Sequence, residues 1–289
     1  MKRSETGEFF YRYFRKLIAS FQSSLYKAAI TCDIEDIHKA RVDVKKMNAL
    51  LILFDTAVPG FSKETGARRL FKDLFNKAGI IREIQLILLF LEKRNDPDPA
   101  LFEFHEWLVK RNQIQIRQYL KSITSFDRHK LKDLTRSVKK LVSRLSKKQL
   151  VINSWEMIDR SSVRVKYLLT GWNDPGYIHR IRQNVKAMSA IANQVSQVAP
   201  TTGLNQLRLD LTSAEIVIGE WHDKIVILSA MERFMKTTSY SKASSHRHFL
   251  TIKDQLMREN AAVLEKLEPE IKAIVLLIKR ISQKRSYLH

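Results

Sequence analysis

The chain has 289 residues, 51 Lys+Arg against 30 Asp+Glu, a formal charge of +21, a pI near 10 and 44% apolar residues. That apolar share is enough for a folded core, and the charge directs the folded protein toward an anion. A single cysteine, Cys32, excludes an intrachain disulfide and a thiolate-cluster metal site, and apolar runs such as residues 84–91 and 273–278 fall well short of the roughly 20 residues that span a bilayer.

The start, MKRSETGEFFYRYFRK, interleaves charges with aromatics and lacks the uninterrupted apolar stretch of a signal peptide. A cytoplasmic protein with no membrane partner is the expectation. Eight glycines and six prolines fall mostly between long segments with apolar residues at i, i+3, i+4 and i+7, which predicts an all-α fold.

In chain order, the periodicity predicts helices over about 5–30, 34–57, 62–94 and 99–146, the last broken near Asp127. Asp33 or Glu35 starts the second, Pro59-Gly60 ends it, and Asp96-Pro97-Asp98-Pro99 separates the third from the fourth. Further helices are predicted over about 148–170, 176–198, 202–237 and 241–286. Their separators are Asn173-Asp174-Pro175-Gly176, Pro200 and Gly203, and Pro269 should kink or divide the last. The aromatic cluster Phe9, Phe10, Tyr11, Tyr13 and Phe14 reads as core, as do Trp155, Trp172 and Trp221. The basic stretch 128–148, with Leu131, Leu134, Val138, Leu141 and Leu145, reads as an amphipathic bundle helix.

The two sets of four helices resemble one another. IHKARVDVKKMN at residues 37–48 and IHRIRQNVKAMS at 178–189 carry His38, Arg41 and Lys45, then His179, Arg182 and Lys186, each 141 residues after its counterpart. Pro59 and Pro200, His105 and His246, and Arg117 and Arg258 share that spacing, while Arg68 with Arg208 and Gly79 with Gly219 are 140 apart. This places one unit at residues 1–145 and a second at 146–289, each long enough for a four-helix bundle.

At 100° per residue, His38, Arg41, Lys45 and Asn48 form a stripe about 80° wide, opposed by Ile37, Ala40, Val44, Met47, Leu51 and Phe54. In the second unit His179, Arg182, Lys186 and Ser189 form the polar stripe, opposed by Ile178, Ile181, Val185, Met188, Ala192 and Val195. A solvated basic face explains one such helix. Its recurrence with histidine in the same place favours two rows that meet along one groove. On the third helices Gly79-Ile80-Ile81-Arg82-Glu83 matches Gly219-Glu220-Trp221-His222-Asp223. Mid-helix glycine costs about 1 kcal/mol relative to alanine, so its double use implies close approach by a neighbouring helix. Glu83 and Asp223 are candidates to accept hydrogen bonds from a groove arginine, with Arg82 and His222 beside them.

The segments HKARVDVKK and GIIRE, then IHRIRQNVK and IGEWHD, resemble the CHAD family, the conserved histidine α-helical domains, over nearly the whole chain. The resemblance implies two four-helix bundles related by an internal pseudo-twofold, with a basic groove or pore that binds inorganic polyphosphate. It also implies a prokaryotic protein often associated with polyphosphate granules. On the matching positions it assigns His38, Arg41, Lys45 and Lys46 to the first basic helix and His179, Arg182 and Lys186 to the second. Family members commonly carry a further arginine where this chain has Asn48 and Ser189. Arg68, Lys72 and Arg208 on the third helices are candidates to supply the missing charge. A triphosphate tunnel domain, often joined to the family, does not fit in this length.

Polyphosphate has no base to read, so lysine charge and the planar fork of arginine suffice to hold it. No metal or cofactor is expected. Two other readings compete. A nucleic-acid binder accounts for the charge equally well, but no zinc-finger spacing, strand motif or recognition helix accompanies it. An enzyme acting on phosphoanhydrides would use His38 or His179 as acid–base with Asp223, but lacks a phosphate-binding loop and an acidic cluster for magnesium. Ser245-His246-Arg247-His248 reads as surface rather than a metal site, because residues two apart point to different helix faces. Oligomeric state is not legible from the sequence.

Overall fold

A computed structural model describes residues 4–94, 98–237 and 243–286 of the chain, and among them there is helix and no strand. The helices are α1 (Glu5–Thr31), α2 (Ile34–Ala57), α3 (Phe61–Glu64), α4 (Ala67–Arg94), α5 (Pro99–Thr124), α6 (Arg128–Val142), α7 (Lys147–Leu168), α8 (Pro175–Ser196), α9 (Thr202–Thr237) and α10 (Ala243–Ser286), with a 3₁₀ turn at Leu169–Gly171.

Most starts are chemically marked. Ser4, Asp33, Asp98, Asp127, Ser146 and Asp174 each accept a hydrogen bond from a backbone N–H of the first turn, satisfying donors that have no partner within the helix. Pro99 and Pro175 occupy the first helical position, where the missing N–H costs nothing. Asp127 thus marks the expected break between α5 and α6. Of the separator at residues 96–99, Asp96 and Pro97 lie outside the described residues.

Two predicted elements differ. The helix expected over 62–94 is divided, because Gly66 adopts φ 64° and Asp55 ties down the short α3 by accepting from the Ser62 backbone N–H at 2.8 Å. Conversely, α10 runs through Pro269 undivided. The proline and Glu265, whose carbonyl loses its donor, are both on the exposed face, where water can replace the bond.

The two apolar stripes of α2 and α8 predicted above are buried at 1% exposure or less at all twelve positions. The larger core takes in side chains from every helix. Phe10 and Phe14, the three tryptophans Trp155, Trp172 and Trp221, and the leucines of α6 belong to it, with Phe9, Tyr11 and Tyr13 half-buried against it. A smaller, distal core joins Ile84 and Ile87 of α4, Phe104 and Leu108 of α5, Met231 and Phe234 of α9, and Phe249 and Ile252 of α10. Phe104 is centred 5.2 Å from Phe234 and 5.8 Å from Phe249, a three-ring contact of the kind that adds about 0.5–1.5 kcal/mol per pair beyond area burial.

Neighbour relations in the first half recur in the second: α1 packs on α2 as α7 does on α8, α2 on α4 as α8 on α9, and α4 on α5 as α9 on α10. The cores, however, do not divide one to each half. The distal core takes two helices from each, and α2 packs directly on α7 and α8. That direct contact brings the two basic rows together.

Candidate anion-binding groove

The first row is built on α2. Arg41 donates from Nη1 to the Phe75 carbonyl on α4 at 2.9 Å, and its guanidinium carbon stands 4.1 Å from the centre of the Phe75 ring. Gly79, one turn on, makes room for it: a Cβ there would lie 3.2 Å from Arg41 Nη1. The close approach that the glycine implied is therefore by an arginine side chain rather than by a helix backbone. Glu83, proposed above as a hydrogen-bond acceptor, instead acts through its charge. Burial pushes Arg41 below the ordinary arginine range, Glu83 counters that, and Arg182 on α8 adds to it.

His38, one turn before Arg41, is half-buried with Nδ1 unbonded. Burial, then the charge of Arg82, lowers its pKa. Arg82 itself donates to Gln85 Oε1 at 3.0 Å.

The second row is arranged differently. Arg182 has a buried Nε without a hydrogen-bond partner, and the space beside Gly219 is open, with nothing within 4 Å of a Cβ built there. Burial pushes Arg182 down, against the pull of Asp223 and Glu215. His179 is exposed, 3.0 Å from Gln183 Nε2, with its ring centred 6.1 Å from that of His222. His222 Nδ1 in turn lies 3.6 Å from Asp223 Oδ1. Burial, then His222, lowers the pKa of His179.

Lys186 shows how close the rows come. Its ammonium is pushed down to about 8, first by burial, then by Arg182, Lys45 and Arg41, with Glu215 opposing. Desolvation and like charges disfavour the protonated form together. Two of these cations come from α2 and two from α8, so the rows meet at one candidate groove. Lys45 Nζ reaches across it to Glu215 Oε1 of α9 at 3.5 Å.

The remaining candidates divide. Lys72 lies two turns before Gly79 on α4, and Arg208 two turns before Glu215 on α9, so each shares a face with a groove residue. Lys72 and Lys46 are exposed, and Arg208 is half-buried. Arg68 is engaged elsewhere, 3.0 Å from Asp55 Oδ2, in a separate cleft of about 1080 Å³ lined also by Ser62, Asp73 and Ser122. Ser189 leaves the polar stripe: it is 1% exposed and accepts from Asn193 Nδ2 at 3.3 Å, so a longer side chain has no room there. Asn48 keeps a buried Oδ1 without a partner. The side chains of Ser245 and His246 lie outside the described residues, and His248 Nδ1 is 3.7 Å from Asp98 Oδ2.

Two groove residues, Phe75 and Glu215, were missed in the sequence. Phe75 and Glu215 stand 140 residues apart, at matching positions, and differ in kind. Arg111, lowered first by burial and then by Arg233, is within electrostatic reach of Glu83. A search for matched chemistry discards such positions. Among the described residues, no group of three or more His, Cys, Asp or Glu is placed to hold a metal ion.

The family model of the CHAD domain matches residues 12–226, well over half of the chain. The chain belongs to the CHAD family. Its fold is also that of a solved structure, the CHAD domain from the plant Ricinus communis, with a TM-score of 0.70 at 14% identity, covering 94% of this chain and 93% of that one. No curated protein is matched. Among the described residues of this CHAD domain, no helix is long and apolar enough to cross a membrane.

Proposed function

We propose that this CHAD domain binds inorganic polyphosphate along the groove between α2 and α8, holding the chain without cleaving it, in the cytoplasm and at polyphosphate granules. One observation carries the reading: Arg41 and Lys45 of α2 and Arg182 of α8 stand close enough to Lys186 for their charges, after burial, to hold its ammonium down, and Arg182 acts likewise on Arg41. Folding opposes such an arrangement, and a polyanion relieves it. Arg182 has a buried Nε without a partner inside the protein, and its charge acts on Arg41 and Lys186 beside it, adding to the positive potential that a phosphate would meet. His38, Lys46, Lys72, His179 and Arg208 extend the cationic border, with Arg82, Glu83, His222 and Asp223 supporting it.

Nucleic acid is the competing polyanion. The test is a set of binding isotherms for long-chain polyphosphate, short-chain polyphosphate and single-stranded DNA at matched salt and matched charge. Tighter binding of long-chain polyphosphate supports the reading, and equal or tighter binding of DNA overturns it.

A further inference from the structure

Phe75 and Glu215 occupy matching positions on α4 and α9, facing the arginines of the two rows, and treat them oppositely. Phe75 parks Arg41, through its carbonyl at 2.9 Å and its ring at 4.1 Å. Glu215 places a carboxylate in the groove instead. Its Oε1 is 3.5 Å from Lys45 Nζ, and its charge also acts on Arg182 and Lys186. The space beside Gly219 that would match the seat of Arg41 is open, so Arg182 is not parked as Arg41 is.

The carboxylate therefore sits among the densest cations of the groove, where a single phosphate would gain most. We infer that Glu215 is an internal counter-ion that makes the groove selective for chain length, a role that rests on the polyphosphate reading. A short anion draws its affinity from this one cluster and must contend with Glu215 there. A long flexible chain reaches cations on both sides and can leave that position to the carboxylate. Its affinity is spread over many contacts, so one unfavourable position counts for little. The groove thus rejects orthophosphate and short oligophosphates while retaining the polymer.

The test compares wild type, Glu215→Gln and Glu215→Ala by calorimetry with tripolyphosphate and with long-chain polyphosphate at one ionic strength. Both variants should bind tripolyphosphate tighter by about three- to fivefold, the upper scale of removing one partly exposed charge partner. Long-chain affinity should change by about twofold or less, and far-ultraviolet circular dichroism should match wild type. If wild type holds the long chain and neither variant gains affinity for tripolyphosphate, the role of Glu215 is overturned and the functional reading stands. If wild type does not hold the long chain, the functional reading fails and this role with it.

Discussion

Arg41 lies against Gly79, with Nη1 3.2 Å from where a β-carbon would be, whereas the matching Gly219 faces open space. Alanine favours a helix interior over glycine by about 1 kcal/mol. Gly219→Ala should therefore stabilise the protein by about 0.5–1 kcal/mol in denaturant unfolding. Gly79→Ala should stabilise it less or not at all, because Arg41 must shift from the Phe75 carbonyl. Equal gains at both positions would show that Arg41 is not held there.

Gly7 marks a far tighter contact. A β-carbon at Gly7 would fall 2.1 Å from the Val142 carbonyl oxygen, which belongs to the backbone and cannot turn aside. Gly7→Ala should destabilise the protein by about 1–3 kcal/mol, the usual cost of overpacking. A thermal midpoint equal to that of wild type would refute it.

The two rows should act on one ligand. Arg41→Ala with Lys45→Ala, and separately Arg182→Ala with Lys186→Ala, should each weaken long-chain polyphosphate binding by about tenfold or more, on the scale of charge-assisted hydrogen bonds. None of the four side chains belongs to the buried core, so helicity should persist. An effect confined to one row would replace the groove with a one-sided patch.

Lys186 should give binding a pH dependence above neutrality. With its pKa pushed down to about 8, by burial first and then by Arg182, Lys45 and Arg41 against Glu215, it loses its charge as pH rises through that value. Affinity should fall between about pH 7 and 9, and Lys186→Met should remove that fall. The sign for stability is opposite. A lowered lysine pKa means that folding carries a cost below about pH 8, which is relieved as pH rises toward the ordinary lysine value. Lys186→Met should accordingly raise the melting temperature at pH 7 while weakening binding. The lowered pKa values of His38 and His179 place their own contribution below the usual histidine range rather than near neutrality.

Salt should weaken binding steeply. Four groove cations neutralising about four phosphates give a log–log slope near −3, using the single-strand nucleic-acid coefficient. Titrations over a series of salt concentrations measure it directly. A slope near zero would mean that ion release does not drive association.

The helices, the cap at Asp33 and the buried faces of α2 and α8 were legible because each depends on local periodicity or on a side chain adjacent to the backbone it caps. The paired rows were legible through repetition. Phe75 and Glu215 were not, since their meaning lies in being unlike at equivalent places. The break at Gly66 and the passage of α10 through Pro269 depend on tertiary details, namely the Asp55 anchor and the exposure of the Glu265 carbonyl. Ser189 misled because a 100° step places a residue on a face without telling which neighbour covers that face.

The distal core, drawn from α4, α5, α9 and α10, makes this single chain behave like a heterodimer with a tether. The tether is the short stretch between α6 and α7, and the chain's beginning is fastened beside it: Ser4 Oγ donates to the Leu145 carbonyl at 3.1 Å, and Gly7 lies against Val142. A protease cut at residues 143–146 would sever the covalent link but leave both cores shared. The fragments would remain together as a nicked complex with an intact groove, and separately produced halves would regain binding only when mixed.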